Sequence, residues 1–518
     1  MAVPGYIMSA GLSSVFDSIT AGLGVAQACL QIQTSLPNNT LMPSDVAFEA
    51  AAQDNWATNA RLTPACIVQP TSARDVQKVV AIANQQDAPF AVRSGGHNPA
   101  PGFSNIDDGV LIDLAKLKDL RFDQKKNVAV IGSGNRWGEV YTYLDQFGVT
   151  MAGGRTGTFG VGGFTLGYLY GLVCDNVINY EVVLADGSLV HANADDNEDL
   201  FWALKGGGNN FGEYPSILFR YIHRARILMV TLGIVTCFTF ATYPIPEIWG
   251  GVKIYAWDQL PGLLTAMNEY QSAPNKDPYA NAYLQGFPSN KDMGLILTLV
   301  YFKPEANPAV FAPFANFTPQ MDQTKFQTTG QLIASYPQIP VARAKGQNSA
   351  NMHTAAQSRL ARDELQAQQV DDGEGGRPAA ERVVSELAAG RRGGGTAFGL
   401  QPISASAVER GIRAGGNALG LTAVNQTWLH IDVGWTEATE DAAARAVPRD
   451  VVGELERDAR DEGAYLPYQF MNDASFEQDV IAHYGSANVA RLRRVQDKYD
   501  PKHRLRTLLP GGFKIPRG

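Results

Sequence analysis

The sequence predicts an α+β protein, and three observations carry that expectation. The stretch from Thr63 to Gly96 reads strand, helix, strand; two glycine-dense runs separate short strands; and after Pro246 strands and helices alternate without glycine clusters. With 518 residues, 45% hydrophobic and 18% charged, the chain holds enough apolar material for two or three packed domains. A net charge of −8 gives no electrostatic reason to expect nucleic acid or an anionic membrane as partner, which leaves a small molecule.

The opening "MAVPGYIMSAGLSSVFDSITAGLGVAQACL" lacks a basic leader and Asp17 interrupts its apolar run, so it reads as a poor secretory signal. That favours the cytoplasm, with secretion as the alternative, in which case the sequons at Asn38, Asn316 and Asn425 would matter. Cys29, Cys66, Cys174 and Cys237 show no CxxC spacing and no neighbouring histidine pair, so no metal site is expected. A Cys29–Cys66 disulfide and two buried free thiols are both open readings.

From Thr63 onward the elements follow one another legibly. "ACIVQP" is a short strand, "SARDVQKVVAIANQQ" a helix with Ser72 as N-cap, and "FAVRSGG" a strand entering a glycine turn. "GVLIDLAKLKDLRFDQKKNVAVIGSG" continues as short strands, and "RWGEVYTYLDQFG" is an amphipathic helix closed by Gly148. After the second glycine run, Met151 to Gly167, come a strand, an Asp186-Gly187 hairpin turn, a strand and a helix ending in three glycines. The apolar run Ile227 to Ala241 is too short for a bilayer-crossing helix, which needs roughly 20 residues, and reads as strand or core. "RLARDELQAQQVDDGEGGRPAAERVVSELAAGRRGGG" reads as exposed helix or mobile loop. Near the end, "NVARLRRVQDKYDP" is a helix stopped by Asp500-Pro501, with a tail returning to the first domain.

Glycines at this density let a backbone approach a ligand and turn its N–H groups toward an anion. "GRTGTFGVGG" lacks the following Lys-Ser or Lys-Thr of a P-loop, and no strand, GxGxxG and helix occur in Rossmann order. Two such loops in one domain suggest a large phosphate-bearing cofactor; plain turns are the structural alternative.

The ordered series "VRSGGHN", "GVLIDL", "GGRTGTFGVGGFTLG", "YGLVCDNV", "EVVLADG", "DLFWALKGGGNNFG" and a terminal "KYDP" with "GGFK" resembles the FAD-linked oxidases of the berberine-bridge-enzyme type, within the vanillyl-alcohol-oxidase superfamily. The flavour is that of fungal members tailoring secondary metabolites. The resemblance implies a PCMH-type FAD-binding domain of two α+β subdomains plus a substrate domain with an antiparallel sheet covered by helices. It divides the chain into an N-terminal segment 1–57, the FAD-binding domain 58–246, a substrate-binding domain 247–455 and a segment 456–518 that returns to the FAD domain.

It further implies that His97 bonds covalently to the 8α-methyl group of the flavin. Thr156 stands where many relatives carry a second linking cysteine, so a single covalent link is expected. Backbone groups of Arg93, Ser94, Gly95, Gly96, His97 and Asn98, and of Gly157, Thr158, Gly160, Val161 and Gly163, are expected to hold the pyrophosphate and ribityl chain. Asp175, Asn176 and Val177 would flank the cofactor, and Ile234 and Val235 its adenine, ordinary strand core being the alternative for the last two. The implied reaction is hydride transfer from a small organic metabolite to FAD, with oxygen as acceptor. Relatives carry a Tyr-x-Asn-Tyr segment; here "PYQFMNDAS" keeps Asn472 but has Asp473 in place of the second tyrosine. Tyr468 is the first choice of base and Asp473 the second, since an apolar pocket would raise its pKa. A carbohydrate or alcohol oxidase, and a non-redox cyclase or scaffold, are the alternatives. Nothing in the sequence sets an oligomeric state.

Two places break the family pattern. Relatives read "NNFGIVTRFT", whereas here "EYPSILFRYIHRARILMVTL" intervenes before "GIVTCFTF"; removing Glu213 through Gly233 restores the spacing in frame, as a retained intron would require. A surface loop contacting a partner is the alternative role. After "GGFTLG" the usual glycine-rich continuation is missing, and "YLYGL" follows at once. Either break leaves an inactive gene-model variant as a further alternative.

Overall fold

The computed structural model describes residues 8–162, 171–207, 233–274, 276–336, 343–344, 348–353 and 395–516. Gly163, the shortened loop after Gly167, the insertion 213–232 and most of the charged glycine-rich segment lie outside them.

Three sheets organise the chain. The first contains β1 (Thr40–Leu41), β2 (Cys66–Val68), β3 (Phe90–Arg93) and β4 (Val110–Asp113), in the order β1-β2-β4-β3. β2 and β3 both run parallel to β4. The strand–helix–strand unit is therefore present, but its two strands are separated by β4. Its helix, Ala73–Gln85, starts where Ser72 accepts a hydrogen bond from the Asp75 amide. The helix Met8–Ser35 is tied to β2 by a Cys29–Cys66 disulfide, with Cα atoms 5.9 Å apart. Of the two readings of these cysteines, the bridge is the one formed.

The second sheet is antiparallel: β5 (Leu120–Asp123), β6 (Val128–Gly132), β7 (Val177–Val183), β8 (Leu189–Asn193) and β9 (Ile234–Ala241), ordered β5-β6-β9-β7-β8. The Asp186-Gly187 turn joins β7 to β8, with Gly187 at φ 83° where glycine alone fits comfortably. The helix Trp137–Asp145 packs Trp137, Val140, Tyr141 and Leu144 into the core shared with Phe238 and Phe240.

The third sheet is larger and also antiparallel. It contains β10 (Ile248–Tyr255), β11 (Ala280–Gly286), β12 (Leu295–Tyr301), β13 (Met321–Asp322), β14 (Lys325–Gln327), β15 (Arg343–Ala344), β16 (Asn348–His353), β17 (Gly395–Ile403), β18 (Gln426–Trp435) and β19 (Tyr465–Leu466). Side chains alternate across its strands, and the two faces differ in character. Leu284, Leu297, Leu299, Phe398, Leu400, Leu429 and Ile431 bury one face against the helices Leu260–Ser272 and Asp441–Asp461. Thr298, Tyr283, Gln401, His430 and Asp432 occupy the alternate positions. That face is the polar one.

The C-terminal segment ends against the first sheet. The helix Ser486–Tyr499 ends at Asp500, whose carboxylate accepts the Arg504 and Leu505 amides and so starts the helix Arg504–Leu508. Leu505, Leu508 and Leu509 then pack against the first sheet. Arg504 pairs with Asp87 at 2.7 Å and donates to the Asn84 carbonyl.

Candidate active site

The two glycine runs meet backbone to backbone. A Cβ added to Gly95 would lie 2.3 Å from the Gly160 nitrogen, and one on Gly160 would lie 2.4 Å from the Gly95 nitrogen. No other residue type permits that approach. Arg136 fastens both turns: its Nη1 donates to the carbonyls of Gly95, at 3.0 Å, and Thr158. The start of the helix Trp137–Asp145 holds the second turn as well, the Trp137 amide donating to Phe159 and the Gly138 amide to Gly157. Ser94 Oγ donates to the Ser133 carbonyl at 2.7 Å, and Ser133 Oγ to that of Val235. Gly95, Gly160, Ser94 and Val235 thus belong to one framework.

His97 stands at this junction. Its ring lies 4.5 Å from Phe159 and 5.8 Å, stacked, from Trp56. Burial and the neighbouring Arg136 guanidinium lower its pKa to about 4, against a hydrogen bond with the Thr158 backbone that pulls the other way. At neutral pH the imidazole is uncharged and one ring nitrogen keeps a lone pair.

The remaining cofactor candidates serve in different ways. Arg93 is 1% exposed and its guanidinium is committed to Asp113 at 3.0 Å, Asn55 and the Ala51 carbonyl, so only its backbone faces the turn. Asn98 accepts the Ala100 amide and shapes the exit of the turn. Asp175 accepts from the Leu172 amide and from Asn417, and burial raises its pKa. Asn176 receives the Tyr243 hydroxyl, and Val177 opens β7 in the core. Ile234 and Val235, at 2% and 1% exposure, are strand core in their side chains. Val161, also buried, ties the second turn to Asn135 through its amide.

A second group gathers on the polar face of the third sheet. Tyr283 on β11 hydrogen-bonds His430 Nε2 on β18 at 3.1 Å. His430 Nδ1 lies 3.6 Å from Asp473 and its Nε2 3.5 Å from Asp432, both too long for hydrogen bonds. Arg155, beside the second glycine turn, places its guanidinium 3.8 Å from the Tyr283 ring centre and donates to Gln401. Burial raises the Asp473 pKa and Asp432 adds to the rise, while His430 and Arg155 oppose it. Gly399 makes the room: it pairs with His430 across β17 and β18.

The sequence names Asp473 as the second candidate base and does not name Tyr283, His430, Arg155 or Gln401. The available signal was the alternation in "QTWLHIDVGW", whose polar members His430 and Asp432 share one face. Tyr468 is 3% exposed, tilted against Trp428 and stacked on Tyr484, and burial raises its pKa well above the ordinary phenol value. Asn472 is half-buried beside Asp473.

Tyr283 and Arg155 of the second group line a pocket. Its wall takes Tyr141 and Thr150 through Arg155 from the region before the second glycine turn, Asn281, Tyr283, Thr298 and Val300 from the third sheet, and Leu332, Ile333 and Tyr336 from around the helix Thr329–Ser335. The wall is mostly apolar with a few polar groups, the usual composition of a small-molecule site.

Comparison with known proteins agrees with this architecture. The profile of the FAD binding domain family matches residues 64–193. The bifunctional solanapyrone synthase of Alternaria solani is 30% identical over 95% of this chain and 90% of its own length. An FAD-dependent monooxygenase of Arthrobotrys oligospora is 32% identical over 94% of this chain and 89% of its own. Among solved structures, 6-hydroxy-D-nicotine oxidase from Arthrobacter nicotinovorans superposes with a TM-score of 0.69 at 19% identity, covering 92% of this chain and 97% of that one. A carbohydrate oxidase from Microdochium nivale does so at 0.69 and 20%, covering 95% and 99%. The back-to-back glycine turns, with an uncharged histidine at their junction, fit an FAD whose dinucleotide part needs close backbone approach. On this fold, this site and these relatives, the chain belongs to the berberine-bridge-enzyme-like FAD-linked oxidoreductases, of the fungal secondary-metabolism type.

Proposed function

We propose that this flavoprotein is an oxidase of a small organic metabolite, holding its FAD by one covalent bond from a ring nitrogen of His97. The observation that carries the reading is the setting of His97: uncharged at neutral pH, flanked by Trp56 and Phe159, and at the contact of the two glycine turns. An FAD held by these turns and His97 would supply the hydride acceptor for the substrate, with oxygen as the proposed final electron acceptor.

The protein's own contributions follow from the framework. Backbone groups of Ser94 through Asn98 and Gly157 through Val161 hold the cofactor, and Arg136 locks the two turns in register. Trp56 and Phe159 restrict the rotation of the His97 ring, so that the lone pair keeps one direction. Asp473 replaces Tyr468 as the preferred proton-handling residue, because it reaches His430 whereas Tyr468 packs among core aromatics. The Cys29–Cys66 bridge, together with the exposed Asn38 and Asn316 sequons, supports an oxidising compartment over the cytoplasm. No helix among the described residues is long and apolar enough to cross a membrane.

The test is denaturing electrophoresis after acid treatment, viewed by flavin fluorescence, beside His97→Ala. Fluorescence that stays with the chain and vanishes in the variant is the expected result. Flavin that washes away from the unaltered chain refutes the covalent assignment.

A further inference from the structure

The pocket between Arg155 and the third sheet has a chemistry more specific than a generic oxidase site. This inference rests on the oxidase reading and deepens it. One end carries a hydroxyl backed by a base: Tyr283 lines the pocket and hydrogen-bonds His430 at 3.1 Å. Asp473 and Asp432 stand on the two nitrogens of His430 at 3.6 and 3.5 Å, and neither carboxylate is among the described lining residues. A cation, Arg155, lies over the Tyr283 ring.

These charges set a direction for a proton. A proton leaving a ligand in the pocket meets the Tyr283 oxygen; the Tyr283 proton moves to His430 Nε2; and the imidazolium so formed is flanked by two carboxylates. The ligand's O–H bond breaks, a new O–H bond forms on Tyr283, and the electron pair stays on the ligand oxygen beside Arg155. The guanidinium opposes a protonated amine at that position and favours an oxyanion.

The rest of the wall restricts what carries that oxygen. Apart from Asn281 and the hydroxyls of its threonines and tyrosines, the wall presents hydrocarbon and rings, from Met151, Ile248, Val300, Phe302, Leu332 and Ile333 among others. A sugar would lose water from hydroxyls on all its sides, and those turned to the apolar part of the wall would regain no partner. A flat, mainly apolar molecule has no such cost. The hydroxyls of Thr150, Thr298 and Thr329, buried in the same wall, have no hydrogen-bond partner among the described residues, so it also holds unmet capacity for a sparsely oxygenated ligand.

We infer that the pocket selects a flat, largely apolar substrate bearing an acidic hydroxyl, a phenol or an enol, whose proton passes to Tyr283 and on to His430. The probe is p-nitrophenol, whose anion has its own visible band, with cellobiose as the carbohydrate comparison. Binding to the full chain is read by equilibrium dialysis, and the ionisation of the bound probe by its difference spectrum. The expected result is binding as the anion, weakened roughly tenfold, or about 1.4 kcal/mol, in both Tyr283→Phe and His430→Gln, with cellobiose failing to displace it. Equal affinity in wild type and both variants overturns the inference, as does displacement by cellobiose. Tyr283→Phe keeps the ring against Arg155, so it remains informative if His430→Gln misfolds. Dialysis does not depend on flavin, whereas failure of the oxidase reading appears separately as chain without attached flavin.

Discussion

Gly399 and His430 face each other across β17 and β18 so closely that a Cβ at position 399 would lie 2.2 Å from His430 Cε1 and 2.4 Å from the Tyr283 hydroxyl. A glycine inside a long strand usually marks close approach of another group. Here that group is the Tyr283–His430 hydrogen bond. Gly399→Ala is expected to push the two side chains apart, costing about 1–3 kcal/mol of stability as overpacking does. Nitrophenol binding should weaken roughly tenfold, as in Tyr283→Phe. Thermal denaturation and the dialysis assay measure the two effects; an alanine variant with unchanged binding would mean that the hydrogen bond does not serve the pocket.

The glycine turns give a second prediction with a different readout. Because Gly95 and Gly160 touch through backbone atoms, a methyl group on either has no flexible neighbour to displace. Gly95→Ala and Gly160→Ala should each reduce the flavin content of the purified chain to below roughly a tenth while leaving the third sheet folded. The flavin-to-protein absorbance ratio measures it. Full loading in both variants would show that the turns serve packing rather than the cofactor.

How much of this was legible in the sequence differs between the two halves of the site. The glycine turns and His97 could be read because backbone approach demands glycine, and glycine patterns are local. The capped helix from Ala73 and the Asp500 stop were legible for the same reason, each depending on a few neighbouring residues. Tyr283, His430 and Arg155 could not be read, because they come from two strands and a distant loop whose pairing depends on the register of the third sheet. The surroundings of Tyr468 were not legible for a related reason: a tyrosine near a motif and a tyrosine in a core look alike until its packing against Trp428 is known. The placement of β4 between β2 and β3 was likewise a matter of sheet order, which local patterns do not encode.

The pH dependence of flavin attachment follows from the state of His97. An ordinary histidine has a pKa near 6.5, but burial and Arg136 hold this one to about 4, so it stays uncharged across the range between. Attachment needs the lone pair. Incorporation of added FAD by chain produced in riboflavin-starved cells should therefore change little from pH 8 to about 5.5, and fall only as the pH approaches 4. The rate of protein-bound fluorescence against pH measures this. A rate halved near pH 6.5 would mean that the ring is solvated and its pKa ordinary.

The Cys29–Cys66 bridge closes a separation of 37 residues and anchors the first long helix to β2. Loop closure on that scale contributes roughly 2–4 kcal/mol by restricting the unfolded chain. Cys29→Ser with Cys66→Ser should lower the denaturation midpoint correspondingly, and reductant should lower that of the unaltered chain but not of the double variant. Indifference of the unaltered chain to reductant would show that the thiols are not joined in the protein as produced.

The last prediction concerns the break in the family pattern between Gly207 and Ile234. Both sides of the break are anchored: the Gly207 amide donates to the Ala203 carbonyl, and Ile234 enters β9 paired with Val183. The partners of both anchors, Ala203 and Val183, lie outside Glu213 through Leu232, and the deletion that the resemblance suggests leaves the codon frame intact. The strand β9 also supplies the Val235 carbonyl that receives Ser133, which in turn accepts Ser94 from the first glycine turn. Misplacing β9 would therefore loosen the cofactor framework. A chain lacking Glu213 through Gly233 should give more soluble, flavin-bearing protein than the chain as written, and the transcript should lack the corresponding codons. Sequencing the cDNA and comparing yield and bound fluorescence of the two chains measures both. A transcript that retains those codons, with equal flavin content in the two chains, would make the segment a genuine surface insertion.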